Sequence, residues 1–179
     1  LLALRCRRRD LAAWDELVAS WNDRLHYFLH RLIDHEHDVA NVLQEVWLNA
    51  FRNIGGLQQG ARLAPWLYTI ARRSAMNHYR GAYARRAIDA DAPAPNANLE
   101  PIEPTDDAFH LENAELVHFG LGRLEVPQRE LLTLYFLDDL SIAEIATVLE
   151  IPPGTVKSRL SAARRELRRI LDEEASRHE

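Results

Sequence analysis

The stretch LSIAEIATVLEIPPGTVKSRL, Leu140 to Leu160, restricts the fold more than any other part of the chain. Ser141 stands three residues before Glu144, the spacing at which a hydroxyl and a carboxylate close a capping box over the first free N–H groups of a helix. Ile142, Ile145, Ala146 and Leu149 then recur at helical spacing and give that helix one apolar face. Glu150, Ile151 and Pro152 interrupt it. Pro153 suits the first turn of a new helix, because its missing N–H would find no intrahelical acceptor there. Along this second helix Val156, Leu160, Ala163, Leu167 and Ile170 step by four, three, four and three residues, which makes one buried seam. The other side carries Lys157, Ser158, Arg159, Ser161, Arg164, Arg165, Arg168 and Arg169, opposed within that span by Glu166 alone. Two helices joined by a tight corner, the second basic on its outer face, form the pattern of a helix-turn-helix whose second helix enters the DNA major groove. The competing reading is a helical hairpin with a merely solvated arginine face. Cap, turn proline and seam together favour DNA contact.

Charge is segregated along the chain in a way the net value of -5 conceals. Leu1 to Ala87 carries 13 arginines against 8 acids, whereas Ile88 to Val126 carries 9 acids against 1 arginine. Local patches govern nucleic-acid binding rather than the sum, so the acidic total does not exclude it. The acidic excess belongs mostly to AIDADAPAPNANLEPIEPTDDAF, Ala87 to Phe109, a stretch of prolines, small residues and acids with no periodic apolar face. Such a stretch cannot bury enough surface to offset its ordering entropy and is expected to be a flexible acidic linker. The 179 residues then divide into two small domains, 1–86 and 111–179, joined by the linker 87–110. No strand pattern occurs, and the expected class is all-α. Cys6 is alone, which excludes a disulfide framework and a cysteine-rich zinc site and fits a reducing cytoplasm. No apolar run approaches a membrane span, so no direct membrane insertion is expected. The opening LLALRCRRRD reads as mid-helix, as in a chain whose true N-terminus is missing.

The N-terminal half has three helical runs. Leu11, Trp14, Leu17, Val18, Trp21, Leu25, Phe28, Leu29 and Leu32 mark the first; the second runs from about His37 through VANVLQEVWLNAFRNI; the third starts near Pro65 with WLYTIARRSAMNHYRGAYARR. In the third, Trp66, Tyr68, His78, Tyr79 and Tyr83 alternate with Arg72, Arg73, Arg80, Arg85 and Arg86. Aromatics interleaved with arginine suit single-stranded DNA, since bases stack on rings while guanidinium groups meet phosphates. The alternative for the rings, Trp66 above all, is burial in the core.

DVANVLQEVWLNAFR, PWLYTIARRSAMNHYR, the acidic linker and VPQRELLTLYFLDDLSIAEIATVLEIPPGTVKSRLSAARREL, in that order, resemble a group IV, extracytoplasmic-function (ECF) sigma factor of bacterial RNA polymerase. The resemblance covers nearly the whole chain. It implies that the first domain is sigma region 2, which binds core polymerase and opens the −10 element, and that the second is region 4, which reads the −35 element. It further implies a transcription-initiation subunit with no catalytic activity and no cofactor or metal of its own. The implied partners are the β′ clamp and β flap of core RNA polymerase, promoter DNA, and an inhibitory anti-sigma factor anchored in the membrane. Carried over residue by residue, Asn41, Gln44, Glu45, Leu48 and Asn49 fall on the clamp-binding helix, with Asn41 where many members have Asp. Leu63, Trp66, Arg72, Arg73, His78, Tyr79 and Arg80 fall on the −10 segment. There Trp66 matches the first of two strand-separating tryptophans, and Leu67 takes the second position. Thr155, Lys157, Ser158, Arg159, Ser161, Arg164, Arg165 and Arg168 fall on the −35 helix, with Ala162 replacing a frequent Arg.

Two other classes compete. A response-regulator output domain shares the TVK helix-turn-helix, but it would follow an α/β receiver with alternating strands, which the helical first half disfavours. A metalloprotein is suggested by His26, His30, His35 and His37 beside Asp34, Glu36 and Asp38. Neither HEXXH nor a cysteine pair is present, and Phe28 marks a core face between His26 and His30.

Overall fold

The structure, a computed structural model, describes residues 2–33, 35–57, 62–86, 114–136 and 140–176. Every regular element among them is helical. The chain separates into two compact units, Leu1–Pro95 and Asn96–Glu179, dividing within the segment read as a linker, and that segment lies outside the described residues.

The first unit holds α1 (Leu2–Arg7), α2 (Leu11–Leu32), α3 (Glu36–Asn53), a 3-10 turn (Ile54–Gly56) and α4 (Leu63–Arg86). The opening run is not one continuous helix. It breaks at Arg8 and Arg9, and Asp10 starts α2 by accepting a hydrogen bond from the Ala13 N–H at 3.2 Å. An acid directly before an apolar run was the available signal for this N-cap. From Leu11 to Leu32 the helix is unbroken, with Ala13, Trp14, Leu17, Leu25, Phe28, Leu29 and Leu32 buried. Leu11 itself, expected on the inner face, is 72% exposed.

α3 buries Val39, Val42, Leu43, Val46 and Ala50 against α2 and α4. Rings lock the three helices together. Tyr68 of α4 is fully buried and meets Phe28 edge-on at 5.1 Å, while Trp14 lies 5.1 Å from Phe51. Trp47 donates its indole N–H to Asn22 Oδ1 at 3.2 Å. At the far end of α4, the Tyr79 hydroxyl donates to the Leu32 carbonyl and His78 Nε2 stands 3.5 Å from Asp38 Oδ2. α2 and α4 therefore run in one direction with α3 returning between them.

The second unit holds α5 (Ala114–Arg123), α6 (Val126–Phe136), α7 (Ile142–Leu149) and α8 (Pro153–Ala175). Both halves of the expected capping box form: the Glu144 N–H donates to Ser141 Oγ at 3.3 Å, and the Ser141 N–H donates to Glu144 Oε2 at 2.9 Å. α7 ends where Glu150 turns left-handed at φ 58°, and α8 begins at Pro153 with Pro152 as its N-cap. Val156, Leu160, Ala163, Leu167 and Ile170 are the buried residues of α8, and they pack on α5, α6 and α7. Gly120 permits the closest approach: a Cβ there would lie 2.6 Å from Leu167 Cδ1 and 2.8 Å from Leu171 Cδ2.

Candidate polymerase and promoter surfaces

α3 turns one apolar stripe inward, so the residues between its members must face out. Asn41, Gln44, Glu45 and Leu48, at positions i, i+3, i+4 and i+7 of the helix, are all exposed. Leu48 is 48% exposed, and one turn on Phe51 is 47% exposed, with Arg52 beside it. Phe51 and Arg52 extend the surface beyond the residues picked out in the sequence. Their spacing from Leu48 was the signal for them. Asn49 differs, because its amide turns inward and donates to the buried Ser74 Oγ at 3.5 Å. Most of this stripe is thus free to dock a partner, and one member ties α3 to α4.

On α4 the expected −10 residues separate into two groups. Leu63 and Trp66 are half-buried in the first turn of the helix, whereas Leu67, in the second wedge position, is fully buried. Leu67 is core. Arg73 and Arg80 are exposed, and Arg72 is half-buried. His78 and Tyr79 are engaged inside the bundle, through Asp38 and the Leu32 carbonyl respectively. The structure therefore leaves one ring, Trp66, in the first turn of α4 with an accessible edge and arginines further along.

On α8 the seam faces inward, and Lys157, Arg165 and Arg168 are exposed on the opposite side. Thr155, Ser158, Arg159 and Ser161 are half-buried along the first two turns, where Ser158 Oγ donates to the Thr155 carbonyl at 3.1 Å. Arg164 has a different environment. Its guanidinium carbon lies 4.6 Å from the Tyr135 ring centroid and 5.4 Å from that of Phe136, and its Nε is buried without a hydrogen-bond partner. Arg164 braces α8 against α6. Arg169 is held by Glu166 at 2.6 Å and by Glu173, which raises its pKa and leaves little of its charge free. The same contact holds the Glu166 carboxyl below its ordinary value.

His26 and His30 share one carboxylate, Glu36, at 2.9 and 3.4 Å. Among the described residues no group of three or more His, Cys, Asp or Glu has the arrangement of a metal site. Cys6 is fully buried, and burial pushes its thiol pKa up. No helix among the described residues is long and apolar enough to cross a membrane.

A four-helix unit with an exposed polar and apolar stripe, separate in sequence from a helix-turn-helix unit with a basic outer face, is the arrangement expected of a two-part DNA-binding protein. Comparison with known proteins narrows it. Residues 17–85 match Sigma-70 region 2, and residues 115–167 match Sigma-70, region 4. The RNA polymerase sigma-H factor of Pseudomonas aeruginosa is 32% identical over 178 residues, covering 95% of this chain and 92% of that protein. The ECF RNA polymerase sigma factor SigW of Bacillus subtilis is 25% identical over 172 residues, covering 92% of each. In fold, the chain is similar to the sigma factor RpoE of Bartonella quintana, solved in complex with the anti-sigma factor NepR: TM-score 0.69 at 20% identity, covering 88% of this chain and 96% of that one. The chain belongs to the extracytoplasmic-function group of the sigma-70 family of RNA polymerase sigma factors. That family regulates transcription at initiation.

Proposed function

We propose that this sigma factor binds core RNA polymerase through the exposed stripe of α3, opens the −10 element at the start of α4 and reads the −35 element with α8. The observation that carries the reading is the division of α8 into a fully used apolar seam and an outer face on which Lys157 and Arg165 are turned to solvent. Exposed cations on a helix-turn-helix suit phosphate and base contacts in the major groove. Gln44, Glu45 and Leu48 supply the polymerase contact, to the β′ clamp, with Asn49 fixing the angle of α3; the second unit meets the β flap. Trp66 stacks on an unpaired base and Arg73 and Arg80 follow the strand, while His78 and Tyr79 hold α4 in place. Catalysis belongs to the polymerase, and the protein works in the cytoplasm as its specificity subunit.

An anti-sigma factor, anchored in the membrane, holds the protein inactive until a signal releases it. The support is the RpoE structure with its anti-sigma partner and the exposed Leu48 and Phe51, an apolar pair such a partner would cover. Run-off transcription with core polymerase on a promoter library tests the whole reading. Promoter-specific transcripts are expected, and they should disappear for a folded Gln44→Ala/Glu45→Lys variant that no longer pulls down core enzyme. Unchanged pull-down by that variant removes α3 from the interface.

A further inference from the structure

The corner between α1 and α2 places three consecutive arginines on the surface. Arg7, Arg8 and Arg9 are exposed, and among the described residues none of their side chains has an ion pair or hydrogen bond. Arg5 is the contrast, bound to Asp10 at 2.9 Å and to Glu16 at 3.0 Å, so two of the nearby acids are already used. Asp15 is the other acid in the first turns of α2.

The backbone at this corner is costly. The Asp10 N–H donates to the Arg5 carbonyl and the Arg9 N–H to the Cys6 carbonyl, the bond pair that closes a helix with a left-handed residue at its end. That residue is Arg9, at φ 60°. Glycine is the usual occupant, because a Cβ is strained in this conformation. Arginine here gives up stability for a charge. The corner is also firmly held: Trp14 donates its indole N–H to the Cys6 carbonyl at 3.2 Å, and Asp10 caps α2.

Its position gives the charge a target. Trp14 packs on Phe51 near the end of α3, and α1 packs on the 3-10 turn Ile54–Gly56 that follows. α4 is antiparallel to α3, so Leu63 and Trp66 begin at this same end of the unit, where Arg52 is also exposed. We propose that Arg7, Arg8 and Arg9 form a docking corner for the phosphate backbone of single-stranded DNA, holding the strand that continues from the base stacked at Trp66. The inference rests on the reading of Trp66 given above and adds a second contact for the same strand. A flexible polyanion bearing one charge per nucleotide matches three adjacent cations on a rigid turn, and ordered phosphates need no particular sequence there.

The test uses holoenzyme, assembled from the full chain and core polymerase, and two fork-junction DNA probes that differ only in a single-stranded tail downstream of the −10 element. Affinity is measured at several salt concentrations. For the Arg7→Gln/Arg8→Gln/Arg9→Gln variant, the affinity added by the tail should fall and the log–log salt slope should drop by about 2 units, at roughly 0.7 per phosphate contact. Arg9→Gly separates binding from folding. It should lose part of the slope while raising the melting temperature of the first unit, by about 4 °C if the relieved strain is near 1 kcal/mol. An unchanged slope in the triple variant, with Trp66→Ala still impairing binding, overturns the corner and leaves the Trp66 reading intact. If wild-type holoenzyme gains nothing from Trp66 on either probe, it is the underlying reading that fails. Loss of core binding by the triple variant would mean that the arginines meet protein, and would also overturn the proposal.

Discussion

Arg164 is the residue for which sequence and structure suggest different work, and a double-mutant cycle can decide between them. Its guanidinium faces Tyr135 at 4.6 Å and Phe136 at 5.4 Å and is half-buried, with no acceptor for its Nε–H. A cation over an aromatic ring contributes about 0.5–1 kcal/mol when exposed and about 2 when desolvated. Two rings around a half-buried group then give roughly 1.5–2 kcal/mol, of which Tyr135, the nearer, should carry about 1. Arg164→Gln, Tyr135→Leu and the double variant isolate that share as a coupling energy. All four tryptophans, Trp14, Trp21, Trp47 and Trp66, lie in the first unit, so fluorescence reports that unit alone while helical circular dichroism reports both. Urea unfolding followed by both signals gives the stability of the second unit. The expected loss for Arg164→Gln is a midpoint shift of about 1.5 M, taking a urea slope near 1 kcal/mol/M for so small a unit. A coupling below about 0.3 kcal/mol, together with an altered −35 preference, would show that the guanidinium leaves the rings to read DNA and would refute the bracing role.

Other substitutions test the remaining parts of the site. Trp66→Ala should impair strand opening in permanganate footprints more than duplex binding, since stacking on a free base is worth about 1–3 kcal/mol; a loss of several kcal/mol in folding stability would instead assign the ring to the core. Lys157→Ala, near the start of α8, should change which −35 sequence is preferred, whereas Arg165→Ala and Arg168→Ala should weaken all sequences alike and lower the salt slope by about 1 unit each. Preference and salt slope unchanged from wild type in all three would make the outer face mere solvated surface. Asp10 supplies a pH test: Arg5 first, then the Ala13 N–H, holds its carboxyl below the ordinary value. Its folded pKa lies below the unfolded one near 3.9, so its stabilisation is complete above that pH and is lost as pH falls through the folded value. Asp10→Asn should therefore make the acid unfolding of the first unit less steep by tryptophan fluorescence, and superimposable curves would exclude the effect.

Patterns carried within one helix were legible, and contacts between helices were not. The seam of α8 and the capping box of α7 follow from spacing alone, because each depends on residues three or four apart. Asn41, Gln44, Glu45 and Leu48 came from the family resemblance, and they lie on the outside of α3. By contrast, Tyr79 reaches Leu32 across 47 positions, and Arg164 reaches Tyr135 on another helix. No local period encodes such pairings, so an aromatic or a cation that looked available for DNA could equally serve the fold. The break at Arg8 and Arg9 was hidden for another reason: a left-handed arginine stands where a glycine would have announced the turn.

Glu150 at φ 58° and the seam of α8 have one further consequence. The angle at which α8 leaves α7 is set by a backbone turn, two prolines and inward side chains, and not by Lys157, Ser161 or Arg165. On the proposed reading, and Arg164 apart, promoter choice and structural integrity are therefore written in separate alphabets on the same helix. A duplicated gene could rewrite Lys157, Ser158 or Ser161 without learning to fold again, and so acquire a different set of target promoters by a handful of surface changes.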